Sequence, residues 1–383
     1  MRLKAAFLEA DIVIVGAGVA GLSTAYHLAK NSKKSILVLE QETKLGGHAS
    51  GRNAGMIRQT VSDPYLARLA ADGRRSLAKA SRGGWKKIRF TSNGSILLAG
   101  RDKASEIKKI EAVTHALGVS TRRLSAEEAC AKVPYLRGAD FTHALFCPGD
   151  ALVENKPLVE SFYREARRLG VRVLLGAGPS DLRKENGRFV IRVGSLTVYA
   201  DQLVNAAGAW CGLLAEKMGA QKIPLRSYRR HLYLTGPVKT VHRAWPFVWD
   251  LSREIYFRPE GRGLLVSPCD KEAMDRRFLD RRQEITDRRV RGIVAKKMRS
   301  FSEPMGRLGI RAEKSGLRTM APDGRFVIGE DRQLPSFFWV AGLGGHGVTT
   351  CFSVGKLSSD IILGRKIDAG LQKAFSPRRF KGR

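Results

Sequence analysis

The spacing of apolar positions changes twice within the first forty residues. Residues 11–15 (DIVIV) form a short β-rich run, residues 23–30 (STAYHLAK) carry helical spacing, and residues 35–40 (SILVLE) are extended again. That is strand, turn, helix and strand in about 30 residues, the βαβ pattern. A Gly/Ser-rich loop over residues 45–55 follows, and Leu66, Leu69, Ala70 and Leu77 predict a helix over Pro64–Arg82. Farther along, Ser95–Ala99 and residues 138–147 read as strands, and residues 103–117 and 125–132 as helices. Residues 155–169 read as an amphipathic helix with Leu158, Phe162, Ala166 and Leu169 on one face. Residues 171–176 predict a strand, 189–193 and 196–199 a hairpin, and 203–207 a further apolar strand running into Gly208.

After Pro224 the chain turns strand-rich: HLYLTG, PFVWDL, IYFRPEG and GLLVSP are separated by Gly and Pro signals. Residues 270–301 read as helices heavily loaded with Lys and Arg, and the segment from Phe337 onward returns to strand, Gly-rich turn and helix. No repeat or low-complexity linker divides the chain. The expected organisation is a discontinuous nucleotide-binding domain (residues 8–80, 149–223 and 309–368), a second domain (81–148 and 224–308) and a basic tail (369–383).

Composition narrows the class. A chain of 383 residues with 43% hydrophobic and 27% charged positions suits about two globular domains. Its five cysteines (Cys130, Cys147, Cys211, Cys269 and Cys351) are scattered and form no C-x-x-C pair, which argues against a disulfide framework or a zinc site and for a reducing compartment. No apolar run reaches the roughly 18 residues of a membrane span. The first ten residues are too short, and too charged at Glu9, for a secretory segment. A cytoplasmic protein is expected. With 68 Lys+Arg against 36 Asp+Glu, the net charge is +32 and spread along the chain. Such a field draws a protein toward anionic membrane, nucleic acid or acidic substrates, unless it is a compositional habit. No basic block is interleaved with aromatics as in single-strand binders, which counts against nucleic acid without excluding it.

Gly16, Gly18 and Gly21, with Val19 and Ala20 between the last two, form G-x-G-x-x-G after a strand and at the head of a helix. The first glycine permits a tight turn, the second admits a pyrophosphate, and the third allows close helix–strand packing. The helix N-terminus offers free N–H groups and the positive end of its dipole to phosphates. Glu40, ending the second strand, is placed to accept hydrogen bonds from ribose hydroxyls, and an acid there argues against a 2′-phosphate. The fingerprint alone leaves FAD and NAD open.

The chain resembles FAD-dependent amine and amino-acid oxidoreductases, the family of D-amino-acid oxidase, glycine oxidase, sarcosine oxidase and bacterial D-amino-acid dehydrogenases; it is most similar to the D-arginine-like dehydrogenase branch. The resemblance runs from Asp11 to about Arg379 and rests on GAGVAG, SGRNAGMI, DALVENKPLVESFYREARRLG, LVNAAGAWC, IYFRPEGRGLLVSP, GLRTMAPDG and FFWVAGLGGHGVTT. It implies an α/β (α+β) fold: a Rossmann-like FAD-binding domain with an inserted, antiparallel-sheet substrate domain. It also implies that Ser50, Arg52, Asn53, Ala54 and Gly55 lie along the flavin side of FAD and that Ala207 and Gly208 pass close to the cofactor. Gly344, Gly345, His346, Gly347 and Val348 would surround the flavin ring. Backbone N–H groups at the start of a helix over residues 349–363, with His346 as a possible addition, would stabilise negative charge there.

An amino acid presents a carboxylate, for which a bidentate guanidinium is the natural clamp. Arg318 matches the family's carboxylate-binding arginine, and Tyr256 the tyrosine that donates to the same carboxylate. Arg230 is a further candidate for the pocket, with Arg229 its rival. The implied reaction is hydride transfer from a neutral amine to flavin, giving an imino acid and then a keto acid and ammonia, with oxygen or a quinone as electron acceptor. Met56 departs from the favoured branch, which has a histidine near the flavin. Thr349 stands where sarcosine-oxidase-like members carry a lysine, and no cysteine matches their covalent FAD tether, so non-covalent FAD is expected. Two other readings stay open: a secondary-amine or modified-tRNA-uridine flavoenzyme, and an FAD-binding subunit of a larger dehydrogenase complex.

Overall fold

The computed structural model describes residues 7–85, 88–275 and 286–380. In chain order its main elements are β1 (Phe7–Val15), α1 (Val19–Asn31), β2 (Ile36–Leu39), β3 (Met56–Ile57), α2 (Pro64–Arg82), α3 (Asn155–Arg168) and β4 (Leu196–Asn205). There follow β5 (Arg226–Thr235), β6 (Phe247–Asp250), β7 (Ile255–Glu260), β8 (Ile310–Met320), β9 (Phe337–Ala341) and α4 (Gly347–Ile362).

One layer is a largely parallel sheet in which β1 lies between β2 and β4, and β4 also pairs with β9. From Ile12 to Val15 β1 is a continuous apolar run because both its faces are covered there. Ile12 and Ile14 pack with Leu22, Phe162 and Val354 of α1, α3 and α4. Val13 and Val15 join Leu37, Leu203 and Leu214 on the other face. Residues 196–199 and 203–207 are not two strands: β4 is continuous from Leu196 to Asn205, hairpinned to Arg188–Val193 in its first half and parallel to β9 in its second. The polar Asp201–Gln202 pair interrupts the apolar pattern but not the ladder, where Gln202 is registered with Ile12. α2 starts where predicted because Asp63 accepts the N–H groups of Tyr65 and Leu66 and Pro64 occupies the first turn.

The second layer is a nine-stranded sheet whose pairings are antiparallel except where β6 runs parallel to Ser95–Ala99. β5 and β8 pair along nearly their whole length. Residues 310–320 therefore belong to this sheet by hydrogen bonding, although the sequence reading grouped them with the cofactor segments; the charged start of β8 hides it as a strand. In residues 138–147 the strand begins only at His143. The stretch 270–301 is not all helix: Glu272–Ala273 is a short strand, residues 276–285 lie outside the described residues, and the helix is Arg288–Phe301. Residues 369–380 differ from a tail as well. Ala369–Phe375 is a helix whose Leu371, Ala374 and Phe375 are buried, with Phe375 stacked on Phe326 at 5.6 Å, while residues 381–383 lie outside the described residues. Among the described residues no helix is long and apolar enough to cross a membrane.

Candidate active site

The cofactor cradle begins where β1 ends. The chain turns through Gly16 at φ +108°, and a Cβ there would stand 2.4 Å from the carbonyl oxygen of Ala206. α1 then starts with Gly18 as its N-cap and no acidic residue in its first turn, so its dipole and the first-turn N–H groups other than that of Val19 are available to an anion. A Cβ on Gly21 would lie 1.9 Å from the oxygen of Gly16; this glycine seats the helix on the turn. The Ser50 hydroxyl accepts the Val19 N–H at 3.0 Å, tying the loop to the helix start. Glu40 braces the same turn: one carboxylate oxygen accepts the Ala17 N–H at 2.7 Å and the other the Glu42 N–H at 3.0 Å.

A cavity of about 510 Å³ runs from this turn to the Gly344–Val348 loop. Gly16, Gly18, Val19, Ala20, Glu40, Ser50, Arg52, Asn53, Ala54, Gly55, Ala207, Gly208, Gly344, Gly345, His346, Gly347 and Val348 all line it, whereas Gly21 lies behind the wall. Trp210 lines it too, packed 4.7 Å from His48. The glycine turn, the bare helix terminus and the acid at the end of β2 fit a dinucleotide such as FAD.

At the far end α4 begins at Gly347, two residues earlier than predicted, with His346 as N-cap and no side-chain cap. Its first N–H groups, including those of Gly347 and Val348, lack helical partners and abut the cavity. Burial, reinforced by Arg58 and Arg318, lowers the His346 pKa to about 3. The imidazole is therefore neutral. It can donate or accept a hydrogen bond but carries no positive charge of its own.

The SGRNAG loop is held between the two layers. Asn155 Nδ2 donates to the Asn53 carbonyl at 2.9 Å, and the Arg258 guanidinium of β7 donates to the Ala54 carbonyl. A Cβ on Gly316 of β8 would lie 2.3 Å from the Arg52 carbonyl oxygen, so only glycine lets the second sheet come this close.

A second cavity of about 400 Å³ adjoins the first, and Arg58, Arg230, Trp249, Arg318 and His346 line both. Across the β5–β8 ladder Tyr228 is registered with Arg318 and Arg230 with Gly316, so strand alternation puts Tyr228, Arg230 and Arg318 on one face. Arg318 Nη2 donates to the Tyr256 hydroxyl at 3.2 Å. Tyr256 itself is wholly buried and lines neither cavity. In this geometry it holds the arginine rather than facing a substrate as the resemblance implied. Trp249, its cross-strand neighbour, packs 4.7 Å away, and the Arg58 guanidinium lies 4.2 Å over the Trp249 ring. Arg229 forms an ion pair with Glu272 at 3.5 Å.

Arg58 and Trp249 were not singled out from sequence. The signal was the alternation of Met56 and Arg58, which puts both on one side of an extended segment; both indeed line the first cavity. Thr349 fixes this strand, accepting the Arg58 N–H at 3.2 Å and donating to the Met56 carbonyl at 3.3 Å. Burial lowers the Arg58 pKa to about 10, which leaves it charged at neutral pH.

With this geometry in place, the relatives agree on the class. Residues 11–361 match the family model described as FAD dependent oxidoreductase, and the chain belongs to that family. FAD is accordingly its cofactor. Sarcosine dehydrogenase from Homo sapiens mitochondria is 24% identical over 360 residues, covering 88% of this chain. The chain spans only 38% of that relative's length. Among solved structures, glycine oxidase from Geobacillus kaustophilus superposes with a TM-score of 0.84 at 22% identity, covering 98% of this chain and 100% of the other. L-proline dehydrogenase from P. horikoshii gives 0.87 at 22% identity, covering 97% and 98%.

Proposed function

We propose that this protein oxidises the C–N bond of an amino acid or related amine, with Arg318 as the carboxylate clamp. The observation that carries the reading is Arg318 itself: tied to Tyr256, it reaches the Gly344–Gly345 loop, where a Cβ on Gly345 would stand 3.1 Å from its Nη1. A carboxylate bound there lies beside the end of the cofactor cavity that α4 closes.

FAD, when bound, supplies the two-electron acceptor. Arg318 and Arg230 would orient the substrate so that its Cα–H faces that acceptor, and such positioning supplies most of the acceleration. Trp249 and Leu232 exclude water from one wall. No side chain is assigned as a base, because an amine that binds neutral needs none; the imine product hydrolyses to a keto acid and ammonia. The D-amino-acid preference comes from the resemblance alone. The match to a sarcosine dehydrogenase supports a secondary amine as the second reading. Oxygen or a quinone would reoxidise the flavin. Five free cysteines support a reducing, cytoplasmic setting, and the +32 charge supports peripheral contact with anionic membrane. The test is anaerobic bleaching of the flavin by D- and L-amino acids, glycine, proline and N-methyl amino acids. Bleaching by none of them would remove the reading.

A further inference from the structure

Three guanidinium groups, those of Arg58, Arg230 and Arg318, meet where the two cavities join. Among the described residues none of them is in ion-pair contact with a carboxylate, the buried Asp150 acting on Arg58 only from a distance. Arg318 gives one N–H to Tyr256, and Arg58 rests on the Trp249 face. Arg230 is 7% exposed, and its Nε and Nη1 are buried without any hydrogen-bond acceptor. Around them the second cavity adds Lys103, Arg229 and Lys271 against the carboxylates of Glu106 and Glu254. Lys103, Lys271 and Glu254 are exposed at the rim, and Arg229 has its own partner in Glu272. The rim is thus roughly balanced, and the excess positive charge sits inside.

A buried charge left unpaired costs several kcal/mol, so an arrangement of three points to an anionic ligand that completes it. One carboxylate offers two oxygens and about four lone-pair sites, enough for one bidentate guanidinium and a neighbour. It carries one negative charge against three positive ones. Arg230 and Arg318 are diagonal neighbours across the β5–β8 ladder, about 7–8 Å apart at the backbone. Their long side chains can therefore hold two anionic groups of one small molecule, a few bonds apart.

We infer that the substrate is an amine bearing two carboxylates, one clamped by Arg318 next to the reacting carbon and the other held by Arg230 with Arg58. The inference rests on the amine-oxidising reading above and narrows its substrate. Acidic α-amino acids and N-carboxyalkyl amino acids share this chemistry.

The test uses the FAD-loaded protein. Iminodiacetate, aspartate and glutamate of both hands are compared, by kcat/KM and anaerobic bleaching, with sarcosine, asparagine and glutamine. The expected result is a preference of about 100-fold or more for the diacids, the worth of a lost charge-assisted contact. Bleaching by iminodiacetate or by the acidic amino acids tells the two sources apart. Arg230→Gln should abolish the preference and Arg230→Lys restore part of it, with flavin content and Tm as controls for folding. Binding is read separately by titrating the flavin spectrum with malonate and with acetate, and malonate should bind at least tenfold more tightly. Monoacids that bleach as well as diacids would overturn the second anionic subsite while leaving amine oxidation standing. Tight malonate binding with no bleaching by any amine would keep the dianion pocket and remove the amine chemistry. An Arg230→Gln protein that loses FAD but keeps the diacid preference would assign the arginine to the cofactor instead.

Discussion

Arg318 and Tyr256 are joined by a 3.2 Å hydrogen bond in which the guanidinium donates to the phenolic oxygen. The tyrosine is buried beneath Trp249, so it fixes one edge of the guanidinium while Arg318 still lines both cavities, free there for the carboxylate proposed above. Removing the arginine and removing its support should therefore differ in size. Arg318→Ala should lower kcat/KM for carboxylate-bearing amines by at least about 100-fold, chiefly through KM, with flavin content unchanged. Tyr256→Phe should cost about tenfold, because one hydrogen bond that orients the clamp is lost while the clamp itself stays. Steady-state kinetics alongside the flavin-to-protein absorbance ratio checks both, and an unchanged KM in Arg318→Ala would sink the clamp.

Flavin retention depends on backbone approach at the first glycine. With φ at +108° and the Ala206 oxygen 2.4 Å from any Cβ, Gly16→Ala strains the turn and displaces β4. The variant should fold with little or no FAD. None of the five cysteines lines the cofactor cavity, so the wild-type flavin should be released by acid precipitation. Yellow supernatant over colourless protein is the expected outcome; flavin left in the pellet would show a covalent link.

The cofactor cradle was legible in the sequence because it is local. Gly16, Gly18 and Gly21 mark a turn that needs no distant partner to be recognised, and the two-sided burial of β1 follows from its apolar run. The substrate side was less legible. Arg58 directly follows a two-residue strand and gains its place from Thr349, nearly three hundred positions away. β8 was missed because its pairing with β5 is a long-range property of a charged segment. His346 lines the cavity, but its neutrality depends on burial and on Arg58 and Arg318 converging on it in space.

Gly316 couples the two layers. Its missing side chain lets β8 touch the Arg52 carbonyl in the loop that lines the cofactor cavity, while Arg318, two residues on, lines the cavity proposed for the substrate. Gly316→Ala should push loop and strand apart, which weakens FAD binding and raises the substrate KM together. A control such as Gly364→Asn, at an exposed helix end with φ +66° and no neighbour within 4 Å, should change neither. FAD titration of the apoprotein and KM in saturating FAD separate the two effects; a Gly316→Ala protein normal in both would remove the coupling.

His27 makes stability depend on pH through the cofactor layer. It lies on α1 with Nε2 buried and without a partner, its ring 6.2 Å from that of Phe352. Burial first, then the nearby Lys30 and Lys356, lower its pKa from 6.5 to about 4. The unfolded chain therefore binds a proton at this site that the folded chain refuses between those values. The contribution is fully present above pH 6.5 and declines as pH falls toward 4, by about 3 kcal/mol in all. His27→Phe removes the titrating group and keeps an aromatic ring in the α1–α4 interface. Its denaturation midpoint should fall less than that of wild type between pH 7 and pH 4.5, while carboxylate protonation weakens both proteins alike. Urea melts of the FAD-loaded proteins across that range measure the difference, and parallel slopes would show that His27 is protonated in the folded chain as readily as in the unfolded one.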